Sequence, residues 1–203
     1  MPDFSFERDA GGLVAGIDEA GRGPWAGPVV AAAVVLMPGI PEALLTRIDD
    51  SKKLTEAHRE ELFDPLQAAA EIGVGRASVE EIDALNILKA THLAMRRALA
   101  ALPRSPDVAL VDGNSDPGLS CRTQLVIKGD GRSYSIAAAS IIAKVSRDRE
   151  MAALAKALPG YGFEKHKGYG TQAHQDALAH LGPSAAHRTT FAPIRALIER
   201  GPA

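Results

Sequence analysis

Four carboxylates stand at or just beyond the ends of apolar segments, where a sheet could gather them. Asp18 and Glu19 follow LVAGI, Asp112 follows VALV, and Asp130 lies between two glycines shortly after TQLVI. Short Val-rich segments bounded by glycine or proline predict strands, and Mg²⁺ and Mn²⁺ prefer oxygen ligands of this kind. The four acids would repel one another without metal, and two divalent ions would neutralise their combined charge. The pattern therefore indicates a candidate site for two divalent metal ions.

Each of these acids also has an ordinary structural explanation. A pair of acids at a strand end is commonly a solvated turn, and an Asp before Gly, as at Asp112, is a typical turn former. Side chains of adjacent strand residues point to opposite faces. Gly21 and Gly23 favour the metal interpretation, because they let the backbone leave strand geometry at once and turn both acids of the first pair toward one site. The residues alone leave both interpretations open.

Basic and hydroxyl residues surround the acids along the chain. Lys52 lies in the loop SKK, and Ser140, Lys144 and Arg147 recur at the spacing of one helical face. Nucleic-acid phosphates are commonly bound in this way, although an exposed cationic stripe without a ligand has the same pattern. Tyr169, between two glycines in KHKGYGT, could stack on a sugar or base or pack locally in a turn.

The composition restricts the class of protein. The 203 residues include 23 Lys and Arg against 25 Asp and Glu, so the net charge is -2, and binding of a polyanion requires a local patch or metal ions. A single cysteine, Cys121, excludes an intrachain disulfide and fits a reducing compartment. The N-terminus shows no secretory signal, and the longest apolar stretch, 26–37, is too short to span a bilayer. We expect a cytoplasmic protein that is not inserted in a membrane.

Apolar periodicity predicts the elements that must position these residues. Strands are predicted at 13–18, 29–36, 72–78, 108–111 and 123–127, and the first two are expected to pair as an antiparallel hairpin. Helices are predicted at 55–70, from the capping box at Ser78 to about Leu102, at 135–158, near 171–181 and near 192–200. This order predicts an α/β fold with a mixed sheet.

The sequence resembles bacterial ribonuclease HII, the type 2 ribonuclease H family. The matching stretches occur in family order and are GIDEAGRGPWAGPVVAA (16–32), DSKKL (50–54), VDG (111–113), IKGD (127–130), SIAAASIIAKVSRDR (135–149), HKGYGT (166–171) and HRTTFAP (187–193). The resemblance implies a ribonuclease H-like fold with a five-stranded mixed sheet flanked by helices and a small helical C-terminal part. A single catalytic domain over 1–203 is expected, with its core at about 13–158 and a C-terminal extension at about 159–203.

The resemblance also implies an activity and its residues. It implies endonucleolytic cleavage of RNA in RNA/DNA hybrids and on the 5′ side of single ribonucleotides embedded in duplex DNA, leaving 3′-hydroxyl and 5′-phosphate ends. Such cleavage would serve ribonucleotide excision repair and primer removal. The implied site comprises four acidic ligands for two Mn²⁺ or Mg²⁺ ions (Asp18, Glu19, Asp112, Asp130), a glycine-arginine-glycine motif (Gly21, Arg22, Gly23), a junction-sensing tyrosine (Tyr169) and phosphate contacts (Lys52, Ser140, Lys144, Arg147).

The expected oligomeric state is a monomer. Two alternative functions remain beside the interpretation as a ribonuclease. A nuclease of related fold, such as a junction resolvase, would cleave an all-DNA substrate. A non-catalytic module would bind nucleic acid without metal-dependent cleavage, but buried unpaired carboxylates would be costly to keep in such a protein. Trp25 departs from the family pattern, which has a smaller aliphatic residue at this position.

Overall fold

Five strands form one mixed sheet in the computed structural model, which describes residues 1–200. The strands are β1 (Val14–Ala20), β2 (Val29–Leu36), β3 (Ala70–Ala77), β4 (Val108–Asp112) and β5 (Arg122–Val126). Their order in the sheet is β3-β2-β1-β4-β5. The β1–β2 and β2–β3 pairs are antiparallel, and β4 lies parallel to both β1 and β5. The predicted mixed five-stranded sheet and its first hairpin are therefore confirmed.

Helices cover both faces of this sheet. They are α1 (Ser5–Ala10), α2 (Glu42–Leu45), α3 (Glu56–Ala69), α4 (Val79–Leu85), α5 (Ile87–Ala100), α6 (Tyr134–Ala157), α7 (Phe163–His166), α8 (Gln172–Leu181) and α9 (Ala192–Arg200). The α5 helix packs on β2 and β3, and α6 packs with α3 on the opposite face, mainly over β1 and β2. None of the helices described is long and apolar enough to cross a bilayer.

The central strands are buried on both faces, which explains their continuous apolar sequence. In β2, Ala31 and Ala33 face the α5 side and Ala32 and Val34 face the α6 side. A side chain at Gly16 would overlap the backbone of Ser135 and Ile136. Glycine therefore lets the start of α6 lie directly against β1, and this contact brings the later residues of α6 beside the end of β1.

The predicted helix from Ser78 to about Leu102 is wrong as a single element. The capping box is present, since Ser78 Oγ accepts a hydrogen bond from Glu81 N–H and the Glu81 carboxylate accepts one from Ser78 N–H. The chain then breaks at Asn86, whose φ of 71° ends α4. Its side chain accepts a hydrogen bond from Lys89 N–H and so caps α5. The short helices α1, α2 and α7 have too few turns to show a periodic pattern.

The last three helices pack around the far half of α6. Their shared core includes Met151 of α6, Phe163 of α7, Leu178 of α8 and Ile194 of α9. Ala26, from the connector between β1 and β2, is buried in the same cluster. The C-terminal helices are thereby tied to the segment that directly follows Asp18 and Glu19.

Candidate active site

Three carboxylates from three places in the chain meet at one edge of the sheet. Asp18 lies near the end of β1 and Asp112 is the last residue of the parallel neighbour β4, where Ile17 is paired with Val111 one residue earlier. Asp130 lies in a single 3₁₀ turn at Gly129–Gly131, after β5. One oxygen of each carboxylate lies within 4.8 Å of the others. This spacing suits ligands that share a cation.

The turn that carries Asp130 is held directly by Asp112. Gly129 N–H donates a hydrogen bond of 2.7 Å to Asp112 Oδ1. Lys128 precedes it in the left-handed region, at φ 55°, and a side chain at Gly129 would press on Ile136 of α6. The sharp turn and the close approach to α6 together bring Asp130 back over the sheet edge.

The electrostatics of this edge favour a cation. Asp18 is only 4% exposed; burial raises its pKa well above the ordinary value, and the charges of Glu19, Asp112 and Asp130 raise it further. Burial also raises the pKa of Asp130, with Asp112 adding to the effect. The nearest ammonium is that of Lys52, 3.4 Å from Asp130 Oδ2, on a side chain that is largely exposed. An all-oxygen donor set with excess negative charge fits Mg²⁺ or Mn²⁺.

Glu19 lies outside this group of three. The expected exit of the backbone from strand geometry directly after the pair is wrong, because β1 continues to Ala20 and Glu19 stays paired with Ala31 of β2. Both acids nevertheless line one cleft. Side chains alternate along a strand, so Asp18 shares the α6 face with Gly16 while Glu19 lies on the other. Glu19 Oε1 accepts a hydrogen bond of 3.2 Å from the Arg22 guanidinium. Burial raises the pKa of Glu19, and Arg22 opposes this.

A cleft of about 190 Å³ runs beside the carboxylates. It brings together nearly all the residues predicted for the site, and Asp130 lines an adjoining groove with Lys52 and Asp112. The cleft is lined by Asp18, Glu19, Ala20, Gly21, Arg22, Gly23, Ser51, Lys52, Asp112, Ser140, Lys144, Arg147 and Tyr169.

The side chains predicted to contact phosphates differ in their exposure and in whether they already have hydrogen-bond partners. Lys52 is exposed, whereas Lys144 Nζ lies 2.6 Å from Asp148 Oδ1 and Ser140 Oγ donates a hydrogen bond of 2.6 Å to Ser51 Oγ. Arg147 also lines the cleft, but its guanidinium is largely engaged with backbone. The residue is 1% exposed, and three of its five N–H groups donate to the carbonyls of Ala26, Pro28 and Lys167, so most of the guanidinium holds backbone.

Comparison with known proteins identifies the family. The family model described as ribonuclease HII matches residues 15–194. Ribonuclease HII of Parvibaculum lavamentivorans is 59% identical over 99% of this chain and 75% of its own length, and that of Paramagnetospirillum magneticum is 59% identical over 96% of this chain and 97% of its own. The chain belongs to the ribonuclease HII family. It is accordingly a ribonuclease H, an enzyme of the hydrolase class.

Solved structures of related proteins have the same fold as this chain. Ribonuclease H2 from Pyrococcus horikoshii OT3 has a TM-score of 0.76 and 31% identity, covering 92% of this chain and 97% of its own. Ribonuclease HII from Archaeoglobus fulgidus, solved in complex with PCNA, has a TM-score of 0.69 and 30% identity over 88% and 95% of the two chains. Ribonuclease HIII from Bst, solved with Mn²⁺, shares the fold at 20% identity and a TM-score of 0.77, over 98% of this chain and 74% of its own.

Arg188, which supports the candidate site from behind the glycine-arginine-glycine turn, was not predicted from the sequence. It is fully buried, and its guanidinium donates to the carbonyls of Gly21 at 2.6 Å, Arg22 at 3.0 Å, Gly27 at 2.8 Å and Pro28 at 3.2 Å. Burial lowers its pKa to about 9, with the charge of Arg147 contributing, so it is charged at neutral pH. The stretch HRTTFAP marks its position but carries no pattern that predicts contact with backbone carbonyls.

Asp83 of α4 fixes the segment that carries Arg188. Its carboxylate accepts hydrogen bonds from the backbone N–H and the hydroxyl of both Thr189 and Thr190, at 2.6 to 3.1 Å. These bonds lower the pKa of Asp83 although burial opposes them. The glycine-arginine-glycine turn is thus held from the sheet side by β1 and from the C-terminal side by Arg188.

Proposed function

We propose that this enzyme hydrolyses the RNA strand of RNA/DNA hybrids and cleaves on the 5′ side of single ribonucleotides embedded in duplex DNA, leaving 3′-hydroxyl and 5′-phosphate ends. The observation that carries the proposal is the grouping of Asp18, Asp112 and Asp130 within 4.8 Å, beside a cleft lined by the glycine-arginine-glycine turn and Tyr169. We infer roles in ribonucleotide excision repair and primer removal, in the cytoplasm and as a monomer.

The three grouped carboxylates are the proposed ligands of Mn²⁺ or Mg²⁺, with Glu19 at the rim of the site. Their oxygen donors, together with the raised pKa values of Asp18 and Asp130, suit divalent cations, because binding relieves the repulsion between buried like charges. Two such ions, when bound, supply activation of a water molecule and stabilisation of the leaving 3′ oxygen. The protein contributes the rigid sheet edge on which the ligands stand.

Recognition of the ribose is proposed for the surface formed by Gly21–Gly23 and Tyr169. The backbone of Gly23 lies close to the Tyr169 ring, because a Cβ added at Gly23 would lie 3.5 Å from Tyr169 Cε1. With glycine at this position, no side chain stands between the turn and the ring. The Tyr169 side chain is 47% exposed. Backbone groups of the turn can therefore approach the 2′-hydroxyl, the group that distinguishes RNA from DNA, while the tyrosine ring stacks on the neighbouring deoxyribose. Lys52 and Lys144 are the proposed contacts to phosphates.

Cleavage of a labelled duplex that contains one ribonucleotide tests the proposal. We expect cleavage with Mn²⁺ or Mg²⁺, none with chelator, and a 3′-hydroxyl that a DNA polymerase extends. Asp112→Asn should abolish cleavage while retaining binding, and Asp9→Asn, an exposed acid of α1, should behave as wild type. Equal cleavage of the all-DNA duplex would favour a DNA nuclease instead. Binding without cleavage under every metal condition would favour a non-catalytic module.

A further inference from the structure

Two buried histidines lie behind Tyr169, outside the cleft described above. His174 and His187 are almost completely buried, and their Nε2 atoms lie 3.0 Å apart. His174 Nδ1 lies 3.0 Å from the carbonyl oxygen of Tyr169. At the other end, His187 Nδ1 lies 3.0 Å from the backbone nitrogen of Ser184. The two rings therefore link a loop of the C-terminal part to the backbone of Tyr169.

When both rings are neutral, the partners at the two ends fix the position of each ring proton in this hydrogen-bond chain. A carbonyl oxygen only accepts, so His174 Nδ1 must donate to Tyr169. His174 Nε2 is then an acceptor in the neutral ring, and His187 Nε2 must donate to it. His187 Nδ1 is left as an acceptor, which matches the donating N–H of Ser184. With both rings neutral, all four ring nitrogens of the pair have partners, and burial favours the neutral form by lowering both pKa values, that of His187 to about 4.

The backbone of Tyr169 is held from several sides, and the histidine pair forms one of them. Its N–H donates to the carbonyl of His166 at 2.9 Å. The flanking glycines fit against the connector between β1 and β2, where a side chain at Gly170 would overlap the ring of Trp25 and one at Gly168 would press on the Ala26 carbonyl. The tyrosine side chain, in contrast, reaches the cleft. A change in the histidine pair can therefore reach a substrate through the orientation of Tyr169.

We propose that His174 and His187 are positioning residues that orient Tyr169 for recognition of the junction between a ribonucleotide and the adjacent deoxyribonucleotide. The inference rests on the proposed function and adds to it the residues that set substrate preference. It requires that breaking the hydrogen-bond chain lowers cleavage of single-ribonucleotide duplexes more than cleavage of uniform RNA/DNA hybrids. The metal-binding edge serves both substrates, so their ratio isolates the contribution of Tyr169.

Two substitutions at one position separate positioning from simple packing. In His174→Asn the side-chain amide stands where Nδ1 was and can still donate to the Tyr169 carbonyl. In His174→Gln it stands where Nε2 was, so the contact with His187 is kept and the donation to Tyr169 is lost. We expect H174Q to lower the ratio of kcat/KM on single-ribonucleotide duplex to that on hybrid by about tenfold, the effect of one buried hydrogen bond. H174N should retain most of the ratio.

The same change in a Tyr169→Ala background completes the test. If His174 acts through the tyrosine, H174Q lowers the ratio no further in that background, because the two changes are coupled. An equal loss on both substrates, or a full extra loss in the Tyr169→Ala background, would overturn the inference. If H174Q does not fold, His187→Asn is the second variant. It removes the hydrogen bond from His187 to His174 while keeping an acceptor for Ser184 N–H. Wild type that fails on both substrates refutes the proposed function itself; wild type that cleaves only the hybrid refutes junction recognition.

Discussion

The molecule has two regions of buried polar side chains, and they are built on opposite principles. At the sheet edge, Asp18, Asp112 and Asp130 face one another with few donors, and burial together with neighbouring charge raises the pKa of Asp18. In the C-terminal region, which comprises the far half of α6 and the helices packed around it, Arg147 and Arg188 donate to backbone carbonyls at 2.6 to 3.2 Å. Over residues 1–200, the buried side-chain atoms without a hydrogen-bond partner are Glu7 Oε2 and His58 Nε2, both outside these regions.

The difference indicates that the carboxylates at the sheet edge bind a cation, whereas the buried arginines hold the backbone around the site. A cluster of like charges is destabilising until a cation binds it, and such sites retain local strain for the sake of function. Buried groups that are hydrogen-bonded to the backbone stabilise the fold, because they make one backbone arrangement much more favourable than others. Substitutions at the sheet edge should therefore remove activity without loss of stability. Substitutions in the C-terminal region should reduce both the stability of the fold and the activity that depends on its backbone arrangement.

The largest expected effect is that of Asp18→Asn. Removing one charge from the cluster should lower metal-dependent cleavage by on the order of 10³-fold or more. The same change should raise the melting temperature of the metal-free protein, since a buried carboxylate with a raised pKa destabilises the fold at neutral pH. Cleavage assays and thermal unfolding in chelator measure the two effects, with Asp9→Asn as control. A lower melting temperature for Asp18→Asn would contradict the proposed contrast.

The second-largest expected effect is that of Arg188→Lys, in the C-terminal region. Lysine keeps the charge but cannot span the carbonyls of Gly21, Arg22 and Gly27, so buried acceptors lose their partners. We expect a loss of about 2–4 kcal/mol in the free energy of unfolding by urea titration, accompanied by weaker cleavage. The exposed Arg195 offers the matched substitution, Arg195→Lys, which should change stability by less than about 0.5 kcal/mol. Equal effects at the two positions would remove the support role assigned to Arg188.

The two regions should also respond to pH with opposite sign. His187 has a lowered pKa of about 4, so between its unfolded value near 6.5 and about 4 the unfolded chain binds a proton that the folded chain does not. Stability from this group is therefore present above pH 6.5 and lost as pH falls toward 4. For Asp18, whose pKa is raised, protonation on acidification stabilises the fold. Urea titrations at pH 7 and 5 should show a smaller loss in His187→Gln than in wild type, and an unchanged loss would contradict the neutral pair.

The smallest expected effect on stability is that of Gly23→Ala. A Cβ at Gly23 would make an ordinary contact of 3.5 Å with Tyr169, while one at Gly21, where φ is 97°, would overlap the Arg147 side chain. Gly23→Ala should therefore change the free energy of unfolding by less than about 0.5 kcal/mol yet reduce cleavage at single ribonucleotides, and Gly21→Ala should lower both. Wild-type cleavage by Gly23→Ala would argue against close approach of the sugar to this turn.

Much of this architecture was readable from the sequence because its signals are local. The five strands follow from short Val-rich runs, and Asp18, Asp112 and Asp130 were expected at their ends because each lies at or just after such a run. The break at Asn86 was missed because the apolar positions of α4 and α5 continue across it, while a single positive φ decides it. The strand conformation of Glu19 was missed because the backbone stays extended for two residues beyond Asp18, although Glu19 lines the expected cleft.

The supporting contacts could not be predicted in this way. Arg147 and Arg188 bond to carbonyls up to 167 residues away in the chain, and every residue offers the same carbonyl. The spacing of Ser140, Lys144 and Arg147 describes a helical face correctly but does not reveal that the longest of these side chains extends under the β1–β2 connector. His174 and His187 show no metal-ligand spacing in the sequence, and nothing local to either residue predicts the hydrogen bond between rings 13 positions apart.

Titration calorimetry with Mn²⁺ at pH 7 tests the central claim most directly. That claim is that the carboxylates at the sheet edge form the cation site of this enzyme. Wild type is predicted to bind Mn²⁺, Asp18→Asn and Asp112→Asn to lose most of the heat of binding, and Arg188→Lys to retain it. Binding by the two aspartate variants that equals wild type would contradict the account.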